Sequence, residues 1–107
     1  MRSQIAKQER QGTDSSGRRK PFVTVNPTRT GTASVGNLQT GTNGTFGGSG
    51  TVTVTREWWR GGVQIAGQTG ATYTTVAADQ NKQLRFVNRA KNQYGEITVG
   101  STPVTIT

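Results

Sequence analysis

Side chains able to do chemistry are few in this chain. Five carboxylates, Glu9, Asp14, Glu57, Asp79 and Glu96, stand against thirteen lysines and arginines, with no histidine and no cysteine. Without imidazole or thiol, Ser-His-Asp and Cys-His catalysis and the common zinc sites lack their components, and no disulfide can form. A glycosidase-like pair from Glu57 and Glu96 needs two carboxyl groups about 5 to 10 Å apart across a cleft, and the spacing gives no support for one. Glu9 and Asp14 fall in a charged terminal segment, and Asp79 reads as a structural residue at a corner. The expectation is a protein that is not an enzyme, with no catalytic residue, no metal and no cofactor.

Binding chemistry is better represented. A net charge of +8 favours acidic partners: nucleic acid, an anionic lipid surface or an acidic protein assembly. Arg2, Lys7, Arg10, Arg18, Arg19 and Lys20 crowd the first twenty residues, where Met1 and Ile5 are the sizeable apolar groups. Such a segment buries too little to offset its ordering entropy, so residues 1–20 are expected to form a basic arm that orders on a partner. At about 3.3 to 3.6 Å per residue its full extension of roughly 66 to 72 Å crosses a neighbouring subunit. A second cationic group lies on the alternating run Arg85, Val87, Arg89, Lys91. Trp59 points outward from its own strand, and a tryptophan set beside arginines suits an interface anchor or a base-stacking platform. The competing reading packs Trp59 beneath a basic stem as a cation–π pair.

These groups must be carried by strands. Val52, Val54 and Trp58 share one parity and point together into a core, while Trp59 points the other way. Gly61 and Gly62 supply the positive φ values of a tight hairpin, and Val63, Gln64, Ile65 begin the returning strand. This also gives Arg60-Gly61-Gly62 a structural role rather than that of an RNA-binding repeat. Before the hairpin, a globular part beginning at Pro21 opens with the strand Phe22–Val25, which ends near Pro27. Leu38, Thr40 and Thr42 have the parity of a polar strand. The glycine-rich Gly41–Gly50 lacks the Lys-Ser or Lys-Thr and the helix of a phosphate loop, and reads as a long turn with Phe46 tucked against the fold. Asn43-Gly44-Thr45 matches a glycosylation sequon and reads as a turn. After the hairpin come a strand around Tyr73, a polar corner at Ala78–Asn81, a run placing Leu84, Phe86, Asn88 and Ala90 on one face, a turn at Asn92–Gly95, and a last strand through Ile97 and Val99 that resumes after Pro103 at Val104 and Ile106. About seven short strands with almost no helix predict an all-β sandwich over residues 21–107. No apolar run is long enough for a secretory signal or a membrane span.

The stretch GGVQIAGQTGATYTTVAADQNKQLRFVNRAKNQYG resembles the bacterial and phage immunoglobulin-like repeat: a tryptophan, then GV-x-IAGATG-x-TYT, then AAD, then an alternating strand closed by N-x-x-G. The likeness runs from about Val35 to Thr107, since SVGNLQTGTNGTF is similar to that family's second strand and its loop with a buried aromatic. The resemblance implies an immunoglobulin-like Greek-key sandwich with a structural core of Trp58, Tyr73, Asp79 and Phe86, and Gly95 in the last hairpin. The chain departs from the pattern at Arg56, where an aromatic is preferred, at Asn88, where an aliphatic is preferred, and at Asn81, where glycine is preferred. A buried Asn88 without partners costs about 1 to 3 kcal/mol, so it is expected to be hydrogen-bonded or near an open end. Arg56 can keep its stem in the core and its head in water.

The family's place on phage particles implies a virion structural protein, a capsid decoration or cement protein made in the host cytoplasm and carried on the capsid surface. The expected partner is the major capsid protein, bound through the arm, with Trp59, Arg85 and Arg89 as a further contact face. Display as a trimer or other symmetric oligomer raises the effective concentration of the arms. Two other readings stay open: a basic β-domain that binds nucleic acid, and a tail or fibre module that holds carbohydrate through Phe46 and Tyr94. No membrane partner is expected.

Overall fold

Threonine, valine and aromatic residues alternating between frequent glycines favour extended backbone over helix. The computed structural model describes residues 18–107, and in them these stretches form β1 (Phe22–Val25), β2 (Thr28–Thr30), β3 (Leu38–Thr42), β4 (Thr45–Gly47), β5 (Thr53–Arg60), β6 (Val63–Gln64), β7 (Thr72–Thr74), β8 (Gln83–Asn92), β9 (Gly95–Gly100) and β10 (Val104–Thr105). A short 3-10 turn, Ala77–Asp79, makes the corner before β8. The protein is all-β with antiparallel strand pairing. β9, β8, β5 and β6 lie side by side, with β10 added to the start of β8; β2, β3 and β7 form a second sheet; β1 pairs with β4. The strands outnumber the expected seven because two- and three-residue pieces flank the longer ones.

The longest ladder, β5 against β8, runs from Thr53↔Lys91 to Arg60↔Leu84. Its register puts Trp58 opposite Phe86, and both are fully buried. Tyr73 from the second sheet meets Trp58 at a ring-centroid distance of 5.7 Å, and Phe86 meets it at 5.0 Å. Leu84 and Ile106 complete this cluster, which joins the two sheets. Burying a side chain the size of phenylalanine contributes about 1.5 to 3 kcal/mol.

β3 is the polar strand that the threonine parity predicts, and Leu38, Thr40 and Thr42 face water. Its buried side carries Gln39 and Gly41. Gly41 lies so close to Phe86 that a Cβ there would stand 2.2 Å from the ring, so the ring occupies the space a side chain would need. Gln39 is satisfied inside: its Nε2 donates to the Thr32 carbonyl at 2.6 Å and its Oε1 accepts from Arg29.

The glycine-rich stretch is not one long turn. Thr45–Gly47 is strand β4, paired with β1, because a bare Gly47 lets the Phe22 ring lie against it, 2.3 Å from where a Cβ would be. Phe46 is half-buried.

Both inward departures from the immunoglobulin-like pattern have local explanations. Asn88 accepts from the Gly44 N–H at 2.8 Å and donates to Asn43 Oδ1 at 3.0 Å and to the Thr55 carbonyl at 3.3 Å. Arg56 lies on the inward parity yet is exposed, toward an open side of the sheet. Asn81 has φ of 64°, a left-handed conformation that glycine adopts freely and asparagine tolerates. Asn81→Val is therefore expected to lower stability by about 1 to 2 kcal/mol, and Asn81→Gly to leave it within about 0.5 kcal/mol of the parent. Urea midpoints of the two variants check this; equal midpoints would contradict it.

The described chain enters and leaves at opposite ends of β8. The Arg19 carbonyl accepts from Asn92 Nδ2 at 2.8 Å, beside the last residue of β8. Ile106 donates to the Lys82 carbonyl at 3.0 Å, beside its first.

Candidate functional site

Alternation along β5 and β8 fixes what the large sheet shows on its outer side. Thr53, Thr55, Glu57 and Trp59 lie across from Lys91, Arg89, Val87 and Arg85, and β9 brings Glu96 opposite Lys91 and Thr98 opposite Arg89. The ladder thus gathers Trp59, Arg85 and Arg89 on one face, as the parity of the two strands predicts.

Their chemistry is turned inward. Arg89 grips Glu57 with two nitrogens, Nε to Oε2 at 2.8 Å and Nη2 to Oε1 at 3.3 Å. Its third nitrogen, Nη1, lies 3.7 Å from Glu96 Oε1. Trp59 is half-buried, and its indole N–H donates to Glu57 Oε1 at 2.9 Å. The hydrogen bonds from Arg89 hold the Glu57 carboxyl below its ordinary 4.5, overcoming the upward push of burial, and the Trp59 N–H adds to the effect. Glu57 and Glu96 are thus two anchors for one guanidinium. Arg85 donates from Nε to the Ser101 carbonyl at 2.8 Å, and its guanidinium lies over Gly100, where a Cβ would come within 2.8 Å of Nη2.

The cation–π contact among the described residues is elsewhere: the Arg19 guanidinium stands 4.1 Å above the Phe22 ring. The Trp59 face is a braced, mostly neutralised surface, with Lys91 as its exposed cation. An open groove of about 560 Å³ crosses it between Thr53, Thr55, Arg89, Lys91 and Glu96.

Of the basic arm, Arg2, Lys7 and Arg10 lie outside the described residues. Arg18 and Lys20 are exposed, and Arg19 is half-buried. The Arg19 N–H donates to Ser49 Oγ at 2.7 Å, and its carbonyl accepts from the Ser49 N–H at 3.1 Å. The Arg19 backbone, ahead of Pro21, is therefore tied to the folded domain.

Trp58, Tyr73, Asp79 and Phe86 are all buried. Asp79 is the polar hub of the corner. Its Oδ2 accepts from the Tyr73 hydroxyl at 2.6 Å and from the Val76 N–H at 2.8 Å, and its Oδ1 accepts from Arg60 Nη1 at 2.8 Å. Burial pushes this carboxyl up, but the hydrogen bonds from Tyr73, Val76 and Arg60 together hold it below its ordinary 3.8. The pairing of Arg60 with Asp79 has no sequence signal, because nineteen residues separate them. Asn92, which the sequence marks only as the start of a turn, is a second polar hub. Buried at the end of β8, it donates to both the Arg19 and Ser49 carbonyls and accepts from the Tyr94 N–H. The N-x-x-G turn pattern was the available signal.

For the carbohydrate reading, Phe46 is half-buried and Tyr94 is 39% exposed. Among the described residues there is no group of three or more side chains suited to holding a metal ion. Compared with family models, curated proteins and solved structures, the chain matches none.

Proposed function

We propose that this chain is a phage virion structural protein, a capsid decoration or cement protein whose basic N-terminal arm binds the capsid and whose immunoglobulin-like Greek-key sandwich is displayed outward. The supporting observation is the rooting of the arm at Arg19. That residue is tied by its backbone to Ser49 and Asn92 and by its guanidinium to Phe22, so the basic residues before it start from a fixed point at one end of the domain. The major capsid protein is the partner this arrangement suits, and several arms converging from a trimer or other symmetric group give the binding its strength.

The nucleic-acid reading is weaker on the same geometry. A stacking platform needs open aromatic rings beside mobile cations, whereas Trp59, Arg85 and Arg89 are braced by Glu57 and the Ser101 carbonyl.

The test is a density gradient of nuclease-treated lysate, following the full-length chain and a variant lacking residues 1–17 that keeps Arg19 and its contacts. Full-length chain is expected with intact particles and the truncated chain at the top of the gradient. Full decoration by the truncated chain overturns the arm mechanism, and release of the full-length chain by nuclease alone makes it a nucleic-acid binder.

A further inference from the structure

The edge of the large sheet beside β6 is unfinished. β6 pairs with only Trp59 and Arg60 of β5, while β5 extends back to Thr53. The directions of the β5 peptide groups follow from its hydrogen bonds: Gly61 donates to the Gln83 carbonyl on the β8 side, and the Trp58 carbonyl accepts from Ile65 on the other side. Peptide groups alternate along a strand. Thr55 and Glu57 therefore turn theirs toward β8, whereas Val54 and Arg56 turn theirs toward the uncovered edge, where no described residue bonds to them. An open groove of about 370 Å³ follows this edge, bounded by Val54, Arg56, Gln64 and Thr69 among others.

Arg56 gives the edge a charge. It is exposed and has no ion pair among the described residues. Glu57 also borders the groove but is neutralised by Arg89.

We propose that the open edge of β5 is a strand-addition site for an extended acidic segment of another protein. The segment pairs antiparallel to β5 and reads acid-x-aliphatic, with its carboxylate opposite Arg56 and its aliphatic side chain opposite half-buried Val54. Main-chain hydrogen bonds to Val54 and Arg56 supply the affinity, and the cross-strand charge pair supplies the choice of partner. A second copy of this chain is a poorer occupant. Antiparallel pairing on the same edge brings two Arg56 side chains onto one face, close enough to repel, in a protein already carrying +8.

The experiment uses the full-length, isotope-labelled protein and the capped peptide Thr-Thr-Glu-Thr-Val-Thr-Thr. Two control peptides accompany it, one with lysine in place of glutamate and one N-methylated at alternate residues. Saturating peptide is expected to slow amide hydrogen exchange at Val54 and Arg56 about tenfold or more. The lysine control should bind about tenfold more weakly, and the N-methylated control should give no protection. Arg56→Gln should keep the fold's melting temperature while erasing the preference for glutamate over lysine. Unchanged exchange at Val54 and Arg56 overturns the proposal. So does equal protection by the N-methylated peptide, or protection that rises with protein concentration in the absence of peptide.

Discussion

Asp79→Ala is expected to lower stability by about 3 kcal/mol, the cost of breaking a buried charged pair whose cationic member can partly return to water. The carboxylate is fully buried and holds three donors: the Tyr73 hydroxyl, the Val76 N–H and Arg60. The Arg60 side chain is 30% exposed and regains hydration, but the other two donors lose a partner inside the fold, at about 1 to 3 kcal/mol for each group that stays unsatisfied. Asp79→Asn keeps an acceptor and is expected to cost about half as much. The pH profile separates this hub from ordinary packing. Asp79 and Glu57 sit below their ordinary values of 3.8 and 4.5 in the folded protein, so their contribution is fully present above those values and is lost as pH falls through the lowered ones. Tyr73 is pushed up to about 12, first by burial and then by Asp79. Its contribution is fully present below pH 10, the ordinary value, and is lost as pH rises toward 12. Urea midpoints taken across pH should therefore fall at both ends for the parent, with a flatter acid limb for Asp79→Ala. Parallel acid limbs would remove Asp79 from the account.

Gly41→Val is the second large effect. Three carbons of the Phe86 ring stand 2.2 to 2.4 Å from where a Cβ at residue 41 would be, well inside the ~3.5 Å at which carbon atoms meet. The ring cannot retreat freely, because Trp58 lies at 5.0 Å. β3 must instead move away from the core, at a cost of about 3 kcal/mol or more for valine and somewhat less for alanine. Trimming the ring should restore part of the loss, so Gly41→Ala with Phe86→Leu is expected to be more stable than the sum of the two single changes predicts. Strict additivity in that cycle would mean that the close approach does not set the cost.

The sequence exposes these two sites unequally. Parity along 52–60 and 84–92 predicts the core places of Trp58, Leu84 and Phe86, but not the burial of Glu57 and Val87 on the opposite face or the exposure of Arg56. The hairpin glycines and the Asn92–Gly95 turn carried their own conformational signals. Gly41 did not: a glycine between threonines reads as a weak point in a strand, and only the Phe86 ring opposite gives it a packing role. Trp59 was legible in direction but not in degree. Its parity places it outside, while its half-burial depends on Glu57 and Arg89, which meet it through a ladder spanning more than thirty residues. The family resemblance places Asp79 in the core, yet its partner Arg60 lies on strand β5, outside the turn that carries Asp79, and emerges only when the chain is folded.

The entry of the chain beside Asn92 and its exit beside Lys82 also set how the domain bears load. A pull on Arg19 and Ile106 acts along the long axis of β8, which spans about 30 Å at ~3.3 Å per residue. It drags β1 lengthwise against β4 and β10 lengthwise against β8, so the hydrogen bonds of each pair resist together instead of peeling one by one. A load applied between Arg19 and Ile106 is thus carried in shear.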